Sequence, residues 1–164
     1  MKLVVSDTSP IRALKWLGLL ELLESLYGKV LIPPAVVAEL VRPAEPRRRV
    51  EVDQYKFIEV VVPRDQSVVE ELAVDLDPGE AEALALALEQ HSCRLVIDER
   101  AGREKARALG LDFVGTVGIV IQAKQAGLIP AVQPIIEQLR NELNFFLSEK
   151  FVLEILKRCG ESTE

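Results

Sequence analysis

Leu3-Val4-Val5-Ser6-Asp7-Thr8-Ser9-Pro10 is the stretch that decides how this chain reads. Leu3, Val4 and Val5 form an apolar, β-branched run of the kind buried on both faces of a sheet, and the run stops abruptly at Ser6. It predicts a strand with a carboxylate, Asp7, at its carboxyl end, the end that faces the ligand crevice in an open α/β sheet. A second reading makes Asp7 a cap for the next helix, a place that Asp, Ser and Thr all suit.

The same design recurs downstream. Leu95-Val96-Ile97 is a short apolar run that ends in Asp98. Between these two strands, Ser9-Pro10 starts a helix carrying Ile11, Leu14 and Leu17, Gly18 interrupts it, and a second helical run reaches from Leu19 to Tyr27 before Gly28. Lys29 to Ile32 is a strand closed by Pro33-Pro34, which open a helix to Val41. In that helix Glu39 lies beside the apolar stripe of Val36, Val37 and Leu40, where a carboxylate is costly unless it is paired or binds a cation; a solvated edge is the alternative. Phe57 to Val62, ended by Pro63, reads as an edge strand, and Asp65 caps a helix to Val74. Asp77-Pro78-Gly79-Glu80 opens an alanine- and leucine-rich helix reaching Gln90, in which only Glu80 and Glu82 break the small apolar surface at the amino end. Acids there also complement a helix dipole.

A charged helix from Glu99 to Leu109, a last strand over Leu111 to Val114 and a helix led in by Gly115-Thr116-Val117-Gly118 follow. Ile135, Ile136, Leu139 and Leu143 then make one helical stripe, and Phe151, Val152, Ile155 and Leu156 make another behind a Ser148 cap. Strands alternating with helices predict an α/β fold, a central parallel sheet of four to five strands flanked by helices. We expect one domain over residues 1–164, with 131–159 a C-terminal helix pair.

Composition narrows the chemistry. At 49% hydrophobic and 28% charged residues, the 164-residue chain describes a folded domain. No apolar run approaches the ~20 residues of a membrane span, and the amino terminus enters a strand directly, so a cytoplasmic protein is expected. Cys93 and Cys159 are too few for a disulfide framework or a thiolate metal site, and His91 is the only histidine. The net charge of −6 argues against a general nucleic-acid coat. It does not exclude a nuclease, whose carboxylates are acidic when empty and whose metal reverses the local field. Gly115-Thr116-Val117-Gly118 lacks the lysine of a P-loop. Arg47, Arg48 and Arg49 lie in an exposed basic loop, either a phosphate contact or a solubilising turn.

Asp7 and Asp98 end strands, while Glu39 and Glu80 lie on helices able to lean over the same rim. Four converging carboxylates repel unless a cation neutralises them, and all-oxygen ligation suits Mg²⁺ or Mn²⁺. Such ions orient and acidify a water for attack on a phosphodiester. A phosphatase with Asp7 as nucleophile would want a second aspartate two residues on, where Ser9 stands.

Taken in order, Val4-Val5-Ser6-Asp7-Thr8-Ser9-Pro10, the glutamate of Val37-Ala38-Glu39-Leu40, Gly79-Glu80-Ala81-Glu82-Ala83 and Leu95-Val96-Ile97-Asp98 resemble the PIN-domain nucleases. Gly115-Thr116-Val117-Gly118 and the C-terminal helix pair resemble an uncharacterised prokaryotic branch of that family. The resemblance implies a three-layer PIN-like fold and Mg²⁺- or Mn²⁺-dependent cleavage of RNA, often by the toxin of a toxin–antitoxin pair. By position it gives Asp7, Glu39, Glu80 and Asp98 the catalytic and metal-binding places, with Thr8 supporting the pocket and Glu82 competing with Glu80. Glu80 stands where the toxins usually carry an aspartate, and Glu99-Arg100 enter a helix where those toxins continue with a short acidic loop. Arg100 and the loop Arg47 to Arg49 are the candidate phosphate contacts. An RNA substrate, an antitoxin and a homodimer are the expected partners; a non-catalytic PIN-fold protein that binds RNA or a protein is the alternative.

Overall fold

A computed structural model describes residues 3–161. Two compact units divide the chain, the first running to Thr116 and the second starting at Val117. The first holds β1 (Leu3–Ser6), α1 (Thr8–Trp16), α2 (Leu22–Tyr27), β2 (Val30–Ile32), α3 (Pro34–Val41), β3 (Ile58–Val60), α4 (Gln66–Leu72), α5 (Pro78–Glu89), β4 (Cys93–Val96), α6 (Arg100–Ala108) and β5 (Asp112–Val114). A 3-10 turn at Val52–Gln54, which the sequence reading did not anticipate, lies between α3 and β3.

The five strands form one sheet in the order β3-β2-β1-β4-β5. Every pairing is parallel, which gives the three-layer α/β architecture. β1 is central, and Val4 and Val5 are fully buried, as a run apolar on both faces requires. β3 is an edge strand with Glu59 and Val60 exposed, and Pro63 follows it without costing a ladder hydrogen bond. After β1 the chain builds the sheet outward through β2 and β3, then returns to the other side of β1 to lay down β4 and β5. The reversal puts a topological switch point between β1 and β4, where the carboxyl ends of the strands leave a crevice.

α5 supplies much of the core. Ala81, Ala83, Leu84, Ala85, Leu86 and Ala87 are all buried, and they pack with Val5, Leu31, Leu95 and Ile97 from the sheet. Its alanines allow close approach from α3, α4 and α6, so a helix apolar on nearly every face is stable here. Each fully buried leucine contributes roughly 1.5–3 kcal/mol.

α7 (Thr116–Gln125) carries the chain into the second unit, which holds α8 (Gln133–Glu142) and α9 (Glu149–Arg158). Glu161 accepts hydrogen bonds from the backbone of Val132 at 2.6 Å and Gln133 at 3.1 Å, tying the end of α9 to the start of α8. Ser148 caps α9 through the Phe151 N–H, as expected. The second stripe is narrower than the sequence reading has it: Val152, Ile155 and Leu156 are buried, whereas Phe151 is exposed. Phe151 is on the flank of the stripe, in the first turn of the helix, four residues before Ile155 and about 140° around the helix from Leu156. Among the described residues no helix is long and apolar enough to cross a membrane.

Candidate active site

The register of β1 against β4 places Ser6 opposite Val96, and the Asp7 N–H donates to the Val96 carbonyl at 2.9 Å. Asp7 therefore sits at the switch point itself. It occupies the N-cap position of α1, yet its side chain makes no capping hydrogen bond to that helix, so capping does not account for it. Only 2% of Asp7 is exposed. Burial pushes its carboxyl up to about 7, and the charges of Asp77, Glu80 and Glu39 add to the shift against a backbone hydrogen bond at Thr8.

A cleft of about 380 Å³ opens here, lined by Asp7, Thr8, Ser9, Arg12, Glu39, Arg42, Pro43, Asp77 and Glu99. Thr8 and Arg12 are four residues apart on α1, hence on one face, and both grip Glu39. The Thr8 hydroxyl donates to Glu39 Oε2, and Arg12 Nη2 donates to the Glu39 main-chain oxygen at 2.7 Å. From the other side the amino end of α5 comes up against the same carboxylate. A Cβ at Gly79 would lie 2.8 Å from both Glu39 carboxylate oxygens, so only glycine allows this approach. The positive end of the α5 dipole thus faces an acid.

Gly79→Ala is expected to leave the fold within about 1 kcal/mol of wild type, since alanine is the better helix former. It should nonetheless push Glu39 off its position. Calorimetric Mn²⁺ titration, with a thermal melt as control, should show metal affinity falling about tenfold or more while the melting temperature stays put.

The other acids singled out in the sequence are placed differently. Asp77 and Glu80 form a reciprocal capping box: the Glu80 N–H donates to Asp77 Oδ1 at 2.8 Å, and the Asp77 N–H to Glu80 Oε2 at 3.2 Å. Glu80 is 6% exposed. Burial raises its carboxyl, with Asp77, Glu99 and Glu39 adding repulsion against a backbone hydrogen bond at Asp77. Glu82 Oε1 accepts from the Ala35 N–H at 3.1 Å, so it satisfies a free donor in the first turn of α3 instead of facing the cleft. Asp98 accepts from Thr116 twice, from the backbone N–H at 2.8 Å and from the hydroxyl at 2.7 Å. Its carboxyl is raised by burial and lowered by these two bonds and by Arg103. A Cβ at Gly115 would lie 2.8 Å from Asp98 Oδ1, a second glycine pressed against an acid.

Asp7, Glu39 and Thr8 thus share one cleft, Glu80 adjoins it through Asp77, and Asp98 is turned toward Thr116. Asp77, Glu99, Arg12 and Arg42 are cleft residues that sequence reasoning passed over. Asp77 had a legible signal, the capping-box spacing to Glu80, whereas Glu99, at the N-cap of α6, had only its place next to Asp98. The basic residues expected to meet phosphate lie outside the cleft lining and have partners. Arg47 stacks over Trp16 at 3.4 Å from the ring centre. Arg48 pairs with Glu45 at 3.1 Å, Arg49 with Glu51 at 2.9 Å, and Arg100 with Glu104 at 3.0 Å.

All donors at the cleft are carboxylate or hydroxyl oxygens, a set that fits a hard divalent cation and not zinc. Among the described residues no three His, Cys, Asp or Glu side chains already stand in position to hold an ion together.

The fold and site define an open parallel α/β domain with an acidic cleft at its switch point. Residues 3–161 match the model of the DUF3368 family, described as a PIN domain, and the chain belongs to the PIN-domain family. Its fold is accordingly a nuclease fold. No curated protein and no solved structure matches the chain.

Proposed function

We propose that this protein is a metal-dependent endoribonuclease that hydrolyses RNA phosphodiester bonds. The observation that carries the reading is Asp7, a carboxylate 2% exposed at the switch point and repelled by three neighbouring acids. A buried acid held among like charges is unfavourable in the empty protein and favourable around a cation. Asp7, Glu39 and Asp77 would hold Mg²⁺ or Mn²⁺, with Glu80 beside them through its capping box with Asp77. The ion would supply an acidified water and offset charge developing on the phosphate. Thr8 keeps Glu39 in place, and Arg12 fixes the backbone that carries it. The toxin role, an antitoxin partner and a homodimer are part of the same proposal and rest on the family resemblance; a cytoplasmic location is proposed with them from the composition of the sequence.

Purified protein is expected to cut single-stranded RNA in Mn²⁺ and to stop in EDTA. Glu39→Gln should lower the rate by about a hundredfold or more, since even outer partners of a metal site cost 10- to 100-fold. A Glu39→Gln variant that cuts as fast as wild type would remove the cleft from the reaction. One observation favours a second reading, a non-catalytic protein that binds RNA or a protein: Glu80 is engaged in the capping box and Asp98 by Thr116. A folded protein that takes up no Mn²⁺ in calorimetry would establish that reading instead.

A further inference from the structure

The cleft contains two arginines, and among the described residues neither forms an ion pair despite the four acids, Asp7, Glu39, Asp77 and Glu99, that line it with them. Arg12 is the more telling. Its Nη2 is committed to the Glu39 carbonyl at 2.7 Å, and its Nε is buried with no hydrogen-bond partner. A charged donor buried and unmatched costs free energy, and native proteins keep very few of them. The basic side chains that the sequence reading did single out, Arg47, Arg48, Arg49 and Arg100, lie outside the cleft lining and are each held by a carboxylate or a ring. Arg42, three residues after Glu39 at the C-cap of α3, is exposed and lines the same cleft.

A guanidinium has a planar fork of donors that matches two oxygens of one phosphate, and carboxylates of the protein itself would meet the same fork if that were its purpose. Here the carboxylates line the cleft beside both arginines and pair with neither. We propose that Arg12 and Arg42 form a phosphate grip, holding the non-bridging oxygens of an RNA backbone phosphate while the acids act on the chain beside it. This deepens the nuclease reading and rests on it for the identity of the ligand. The grip is sequence-independent, because it touches no base.

The test uses the full chain in EDTA, where metal-dependent cutting cannot intervene, and fluorescence anisotropy with labelled single-stranded RNA 12-mers of two unrelated sequences at several salt concentrations. Arg12→Gln and Arg42→Gln should each weaken binding about tenfold for both sequences. Each should also lower the slope of log affinity against log salt by about 0.7, the value of one phosphate contact on a single strand. Arg12→Lys should keep most of the slope and lose part of the affinity, since it retains the charge and not the fork. Lys29→Gln is the control: it removes one positive charge at the amino end of β2, away from the strand ends that bear the cleft. The proposal is overturned if wild type binds neither RNA at 50 mM salt, if Arg12→Gln and Arg42→Gln bind like wild type, or if Lys29→Gln loses as much as they do. Among the described residues the Arg42 side chain makes no hydrogen bond or ion pair, so its variant carries the test should melting show Arg12→Gln unfolded. Wild type that binds through both arginines yet cuts no RNA in Mn²⁺ would sink the nuclease reading and leave the grip standing.

Discussion

Asp7→Asn should melt higher than wild type at pH 8, in EDTA, and should no longer gain stability from Mn²⁺. The carboxyl of Asp7 has its ordinary value of 3.8 in the unfolded chain and about 7 in the folded one, chiefly because burial disfavours the charge. Between those values the folded protein keeps a proton that the unfolded chain releases. Stability is therefore complete below about pH 4, falls as the pH climbs, and has lost its full share above about pH 7. At 1.36 kcal/mol for each pKa unit, the loss is on the order of 4 kcal/mol. Asparagine carries no charge at any of these pH values and escapes the loss. For a chain of this length about 1 kcal/mol moves the midpoint by roughly 2–4 °C, so the variant should gain roughly 8–16 °C at pH 8 and little at pH 4. Mn²⁺ should raise the midpoint of wild type and leave that of Asp7→Asn unchanged, because the acid that profits from the cation is gone. Equal midpoints for the two proteins at pH 8 would show that Asp7 is not held against its own charge.

Thr116→Val should act in the opposite direction. Thr116 is fully buried, and its hydroxyl donates to Asp98 Oδ2 at 2.7 Å while its N–H donates to Oδ1 at 2.8 Å. Valine fills the same volume and keeps the N–H, so the change isolates one hydrogen bond to a charged group. Such a bond contributes about 1.5–3 kcal/mol, and its loss leaves a carboxylate, already raised by burial, with one fewer donor. The carboxyl of Asp98 should rise further, and the variant should melt roughly 4–8 °C lower at pH 8. The cost should shrink toward pH 4, where Asp98 takes up a proton and no longer needs a donor for its charge. Thr116→Ser should recover most of the stability. A loss that is the same at both pH values would mean that the hydroxyl serves packing and not the carboxylate.

The strands, their order of polarity and the helix starts were legible because each is decided within a few residues. Val4 and Val5 are buried on both faces by their own β-branched character, and Pro33-Pro34, Pro78 and Ser148 begin helices through fixed φ or a capping oxygen. Glu39 was likewise visible, as an acid on the edge of an apolar stripe.

The companions of Asp7 were not legible. Asp77 is seventy residues away along the chain and arrives only because α5 crosses beneath α3, a contact that the parallel crossovers create and no local pattern encodes. The same folding that recruits Asp77 turns Asp98 toward Thr116 and Glu82 toward Ala35, although all three looked alike as acids near helix or strand ends. Sequence alone thus determined the parallel α/β fold, the strand that ends in Asp7 and the oxygen-only chemistry of the acids, since periodicity, caps and residue type are local properties. Tertiary structure alone decided which acids share a cleft, that Gly79 is the surface on which Glu39 rests, and that Arg12 and Arg42 stand there without carboxylate partners, since which charges meet depends on where distant segments cross and not on what they contain.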